Sequence, residues 1–159
     1  MYKRQREKGV IFCVASGRQY ASLRRDFEAY ADDLLFLCEN GALVMQRDKR
    51  VLIDPVDASF ITRIVTATRA LSGVYPVVCR ADVALIEKTA SPEFIRNTKM
   101  YYPSVEVVDD LTALGQLGDV CKVAFYDEGD AQTHELPELK KHLEGPVSYT
   151  HLRAHETSA

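Results

Sequence analysis

Three residues that follow the first apolar run, Ser16, Gly17 and Arg18, bring together a hydroxyl, a backbone without a Cβ and a planar guanidinium. That combination suits an oxyanion such as a phosphoryl group. The hydroxyl donates one hydrogen bond, the glycine lets main-chain N–H groups approach closely, and Arg18 adds a fixed charge carried on a fork of donors. A nucleophilic role for Ser16 is not indicated, because no GxSxG surrounds it and no histidine precedes His134. Neither GxGxxG nor GxxxxGKS/T occurs, so a dinucleotide fold and a P-loop are both unsupported. A plainer reading has Ser16 capping the next helix, Gly17 serving the turn and Arg18 as a solvated charge, and these residues alone leave both readings open.

Other residue types capable of chemistry are sparser. Glu39-Asn40-Gly41 closes a second apolar run, and asparagine and glycine there can take the positive φ of a sharp turn. The adjacent acids Asp109 and Asp110 precede a short periodic stretch and read as a helix cap rather than a metal pair. Cys13, Cys38, Cys79 and Cys121 form no CxxC and have no histidine at metal-ligand spacing, so they read as reduced core thiols. Reduced thiols favour the cytoplasm. His151 and His155 stand at i, i+4 ahead of Glu156 but lack the HExxH order, so no residue is assigned to a metal.

The elements that must position these groups follow from apolar periodicity. Val10 to Ala15 (VIFCVA) predicts a strand buried on both faces of a parallel sheet, and Tyr20, Leu23, Phe27 and Tyr30 predict an amphipathic helix over Gln19 to Tyr30. Leu34 to Cys38 is a second buried strand. Ala42 to Met45 and Val51 to Ile53 flank the polar residues Gln46 to Arg50 as a hairpin. A helix opens near Asp54-Pro55 and closes by Leu71, with Pro55 or Asp57 in its first turn. Strands Val74 to Arg80 and Val83 to Lys88 follow, then a helix from Pro92 to Tyr101 capped by Ser91 and an extended Val105 to Val108. Pro76 places its strand at a sheet edge. A short helix near Asp110 to Leu117, a strand Val120 to Tyr126 and a helix near Leu136 to Leu143 complete the pattern.

Of the 159 residues, 47% are hydrophobic and 27% charged, which is ordinary globular composition and excludes a disordered or collagen-like chain. A net charge of −3 gives no basic field for a polyanion, so neither nucleic acid nor an anionic membrane is expected as a partner, while a small anionic ligand needs only a local site. Val10 to Ala15 is too short for a secretory signal or a membrane span. Met1 to Lys8 with Gly9 reads as the end of a polar helix, as if the chain opens inside a domain. The expected organisation is an α/β part over residues 1–54, an α+β part over 55–147 and a non-native tail over 148–159. The tail, Ser148 to Ala159, resembles translated sequencing-adapter read-through and is set aside.

Taken in order, Ala15-Ser16-Gly17-Arg18 after a buried strand, an amphipathic helix, a strand ending in Glu39-Asn40-Gly41-Ala42, a hairpin and an α+β segment resemble the Cof-type branch (subfamily IIB) of the haloacid dehalogenase-like (HAD) phosphatases. The resemblance covers Met1 to Val147. It implies a partial Rossmann-like core followed by part of a type C2 cap, with Ser16 and Gly17 binding the transferring phosphoryl group and Arg18, Asn40 and Gly41 lining the same cleft. It further implies a parent that hydrolyses small phosphorylated metabolites such as sugar phosphates, through an aspartyl-phosphate with Mg²⁺ as cofactor. The chain departs from that pattern. No DxD occurs in it, so the nucleophilic aspartate of the family's first motif is absent, and the later lysine and metal-binding aspartates are not found after the cap-like segment. The chain alone is therefore expected to be inactive. A non-catalytic binder of phosphorylated ligands, a structural α/β module and a related phosphomutase are the competing readings. Oligomeric state is left open.

Overall fold

The computed structural model describes residues 5, 7–113, 118–129, 139 and 141, which form two four-stranded sheets. In the first, β1 (Phe12–Ala15) runs parallel to β2 (Leu34–Cys38), with Phe12 opposite Leu34 and Ala15 opposite Leu37. Their carboxyl ends therefore lie side by side. β3 (Leu43–Gln46) and β4 (Lys49–Ile53) continue the sheet antiparallel in the order β1-β2-β3-β4. The turn between them is tighter than the expected five residues: only Arg47 and Asp48 separate the strands, at φ 49° and 58°, as the right-handed twist of a two-residue hairpin demands.

Alternation explains how β1 departs from the expected strand buried on both faces. Phe12 and Val14 pack with Leu34, Phe36 and Cys38 beneath α1 (Tyr20–Asp26), whereas Cys13 and Ala15 are exposed. β1 is an edge strand, and no described element covers its second face, so Cys13 is not a core thiol. The helix is also shorter than its apolar stripe predicted. It ends at Asp26 and gives way to a 3-10 segment, Glu28–Asp33. Leu23 is buried, while Phe27 and Tyr30, which follow the end of the helix and so leave its stripe, remain 39% and 57% exposed.

The second sheet has the order β7-β6-β5-β8, formed by β5 (Val74–Arg80), β6 (Ala84–Glu87), β7 (Val105–Val108) and β8 (Val120–Asp127). One face packs Val78 and Leu85 against Ile61, Ile64 and Val65 of α2 (Ala58–Arg69); the other packs Val77, Cys79 and Ile86 against Phe94 of α3 (Pro92–Tyr101). β5 alternates between these two cores. Pro76 does not put β5 at the edge. The strand is interior, yet β6 pairs with it at Val78 and Cys79, so among the described residues Pro76 has a cross-strand partner on one side alone, Phe125 of β8, and its missing N–H breaks no ladder with β6.

α3 begins where its sequence predicts, whereas α2 opens at Ala58 rather than near Asp54-Pro55, because Asp54 N and Val56 N donate across to Ala42 O and Val120 O. Ser91 Oγ accepts the Phe94 N–H at 3.2 Å, and Asp57 Oδ1 accepts the N–H groups of Ser59 and Phe60 at 2.9 and 3.2 Å. Asp57→Ala should lower stability by about 1 kcal/mol, read as a shifted urea midpoint at unchanged slope, since it orphans both donors. Asp110 Oδ1 accepts from Thr112 N at 2.8 Å, and residues 111–113 are non-helical, while 114–117 of the expected short helix lie outside the described residues. The expected helix near Leu136 to Leu143 and the tail 148–159 lie outside the described residues, apart from buried Leu139 and from Lys141.

The sheets are joined at the carboxyl ends of β1 and β2. Val56 N donates to Val120 O at 2.7 Å, and Arg50 pairs with Asp119 at 2.6 Å. Gln19 and Ser104 exchange two hydrogen bonds of 3.1 and 3.3 Å. Cys121 of β8 completes the first core rather than the second. The Ser16-Gly17-Arg18 turn therefore lies at the junction.

Candidate functional site

Ser16, Gly17 and Arg18 leave the end of β1 and are held against the end of β2. Ser16 N donates to Leu37 O at 2.9 Å, and Glu39 N donates to Arg18 O at 3.2 Å. These two bonds bring the turn after β1 together with Glu39-Asn40-Gly41. The crevice beyond the carboxyl ends of parallel strands is where open α/β sheets bind ligands. Glu39, Asn40 and Gly41 all take positive φ, at 50°, 61° and 94°. The turn thus exposes Asn40 and Gly41 while folding Glu39 inward.

Ser16 does not cap α1. That position belongs to Gln19, so the plainer reading of the serine loses its basis. Ser16 Oγ instead accepts the N–H of Arg18 at 3.3 Å. The Arg18 guanidinium turns along the helix, with Nη1 donating to Asp26 at 2.7 Å and Nη2 to Ser22. Phosphate contact through Arg18 requires exchange of the Asp26 pair.

One residue at the crevice, Lys122, carries no signal in a search for anion motifs, and it meets Glu39 of the second turn. Lys122 of β8 donates from Nζ to Gly17 O and lies 2.8 Å from Glu39 Oε2. The Glu39 side chain is fully buried, and its Oε1 has no donor among the described residues. Burial raises the Glu39 carboxyl above its ordinary range, against the lowering pull of Lys122. A legible signal did exist: Lys122 is the one charge inside the apolar run Val120 to Phe125, and a charge there needs a partner.

Burial pushes the thiols of Cys38, Cys79 and Cys121 up to about 12, so none is a thiolate nucleophile at neutral pH. Asp109 pairs with Lys88 at 2.6 Å and Asp110 with Arg69, which also holds Glu87. Among the described residues no three His, Cys, Asp or Glu side chains converge, so the residues present do not fit the Mg²⁺ that the resemblance implies. Shallow depressions along α2 (Thr62, Arg63, Thr66) and beside α3 (Lys88, Arg96, Lys99) lie apart from the Ser16 turn.

A mixed α/β architecture with a Ser-Gly-Arg turn beyond paired parallel strands defines the general class. The chain belongs to the haloacid dehalogenase-like hydrolase family, which matches residues 1–156. It is 27% identical over 143 residues to the 5-amino-6-(5-phospho-D-ribitylamino)uracil phosphatase YbjI of Escherichia coli (strain K12), covering 89% of this chain and 50% of that protein. A crystal structure from Eubacterium rectale superposes with a TM-score of 0.76 at 23% identity, over 89% of this chain and 54% of that one. The HAD subclass IIB sugar phosphatase BT4131 shares the fold at a TM-score of 0.52 and 15% identity, over 74% of this chain and 45% of its own. The chain spans about half the length of these relatives.

Proposed function

We propose that this chain is the phosphoryl-binding and substrate-covering part of a phosphatase of small phosphorylated metabolites, a substrate class that the names of two relatives also carry. The observation that supports it is the Ser16 turn at the joined ends of β1 and β2. Ser16 Oγ spends a lone pair on Arg18 N–H, which leaves its proton for a phosphoryl oxygen. Asn40 and Gly41 line the same crevice. The segment 55–147 acts as a cap that excludes water and selects the leaving group, with residues 1–54 as the core.

Ser16 binds and orients; it does not attack. The resemblance assigns attack to an aspartate of a DxD motif, which these 159 residues lack, and Mg²⁺ in the intact parent to ligands that the described residues do not assemble. No bond-breaking step is therefore assigned here. The four free cysteines support a cytoplasmic location; no helix of the described residues is long and apolar enough to cross a membrane.

The purified chain should release no phosphate from p-nitrophenyl phosphate, while inorganic phosphate should shift the amide resonances of residues 16–18 saturably. Ser16→Ala should weaken that binding about tenfold, the worth of one hydrogen bond to a charged group. Arg18→Ala should weaken it less, because Asp26 already holds the guanidinium. Turnover abolished by chelation, or phosphate shifts that ignore Ser16, would overturn the assignment.

A further inference from the structure

Lys122 reaches from the second sheet into the turn of the first, where its ammonium meets Gly17 O and Glu39 Oε2. Only 18% of its side chain is exposed, and none of the Glu39 side chain. Stability alone is a poor reason for such a pair, since an apolar pair of similar volume serves a buried position as well or better. Its local effect is geometric. Gly17 C=O and Arg18 N–H belong to one peptide unit, and in a trans peptide they point in opposite directions. Drawing the carbonyl onto Lys122 therefore turns the N–H away from it, and Ser16 Oγ receives that N–H at 3.3 Å. With a lone pair so occupied, the hydroxyl keeps its proton for another acceptor.

We propose that Lys122 is a positioning residue of the phosphoryl-binding turn: held by Glu39, it fixes the Gly17–Arg18 peptide so that Ser16 presents its O–H to the ligand. The proposal rests on the reading of Ser16 given above and adds to it. The residue that sets the turn belongs to the cap-like half, so the crevice is competent to bind only while the second sheet is docked. Gln19 with Ser104 and Arg50 with Asp119 keep it docked at the same junction.

The test uses the whole chain, inorganic phosphate and amide NMR. Lys122→Met leaves Glu39 buried without its cation and risks unfolding, so the decisive variant is the double substitution Lys122→Met with Glu39→Gln, which removes the clamp without stranding a charge. It should unfold cooperatively, bind phosphate about tenfold more weakly and exchange its Arg18 amide proton faster, the loss expected for one charge-assisted hydrogen bond. Lys122→Arg, which retains a cationic donor, should keep affinity near wild type. A double variant with wild-type affinity and wild-type Arg18 exchange overturns the proposal. If the wild-type chain shows no phosphate response at residues 16–18, the ligand assignment fails, and the Arg18 exchange rate still decides whether the clamp exists. Should the double variant not fold, the wild-type chain decides: a through-hydrogen-bond coupling between Lys122 Nζ and the Gly17 carbonyl carbon supports the clamp, and its absence at low temperature refutes it.

Discussion

Lys122→Met alone should cost about 3–5 kcal/mol of folding stability at neutral pH, the usual penalty for stranding one member of a buried ion pair. The size follows from Glu39. Its side chain is fully buried, Oε1 already lacks a donor among the described residues, and Oε2 has only Lys122, at 2.8 Å. Without the ammonium, a desolvated carboxylate must either remain charged at high cost or take up a proton. The pH dependence distinguishes this cause from the lost packing of a lysine stem. Burial raises the Glu39 carboxyl in the folded chain above its ordinary 4.5, so the folded state holds this proton more tightly than the unfolded state. The group's contribution is therefore fully present below the unfolded value and is lost as pH rises through the folded one. Lys122 opposes the rise, so its removal pushes the carboxyl further up and extends the loss to higher pH. Urea titrations of both proteins should show a small difference below pH 4.5 and the full difference at neutral pH. Equal penalties at both would assign the cost to packing.

The local order of elements was legible in the sequence because it rests on short-range chemistry. The cap Ser91, the bounds of β2, β5 and β7, and the sharp turn at Asn40-Gly41 follow from residue types within a few positions. What escaped depended on neighbours in space. An apolar run such as Val10 to Ala15 states that a strand forms, but not whether both faces are covered, and here Cys13 and Ala15 face outward. Pro76 predicted an edge, yet sheet order is set by the long-range pairing of β5 with β8, and the short reach of β6 removes the conflict. The site divides in the same way. Ser16, Gly17, Arg18, Asn40 and Gly41 form a contiguous pattern at two strand ends, and the paired register of β1 and β2 brings those ends together. Lys122 is separated from Gly17 by most of the chain, and only the docking of β8 makes them neighbours. Arg18 shows a further limit of the motif, since its partner Asp26 stands eight residues on, at the end of α1, where the Ser-Gly-Arg pattern does not name it.

Phe36→Ala should destabilise the chain by about 3–5 kcal/mol, because Phe36 is one of the two largest fully buried side chains among the described residues and its loss leaves a cavity in the first core. Phe36 sits at the centre of β2, with Tyr20 and Phe27 of the segment above it approaching edge-on at 5.5 and 6.3 Å. Both contacts vanish with the ring, and α1 loses its main purchase on the sheet. Tyr20 provides a second reading of the same event. Its hydroxyl donates to Asp48 at 2.6 Å, and its phenol is pushed up to about 12, by burial first and by Asp48 next. A cavity beside the ring admits water and weakens the larger cause, so ultraviolet titration of the variant should find Tyr20 ionising closer to its ordinary value of 10. Phe36→Leu fills most of the space and should cost under about 1.5 kcal/mol. The consequence reaches the site, since β2 carries Glu39 at its end and supplies Leu37 O to hold Ser16 N. Phosphate shifts at residues 16–18 should therefore weaken in Phe36→Ala and persist in Phe36→Leu. A Phe36→Ala variant that loses less than about 1 kcal/mol would mean that the first sheet relaxes around the vacancy, and that the rigidity of the anion turn is set from β8 alone.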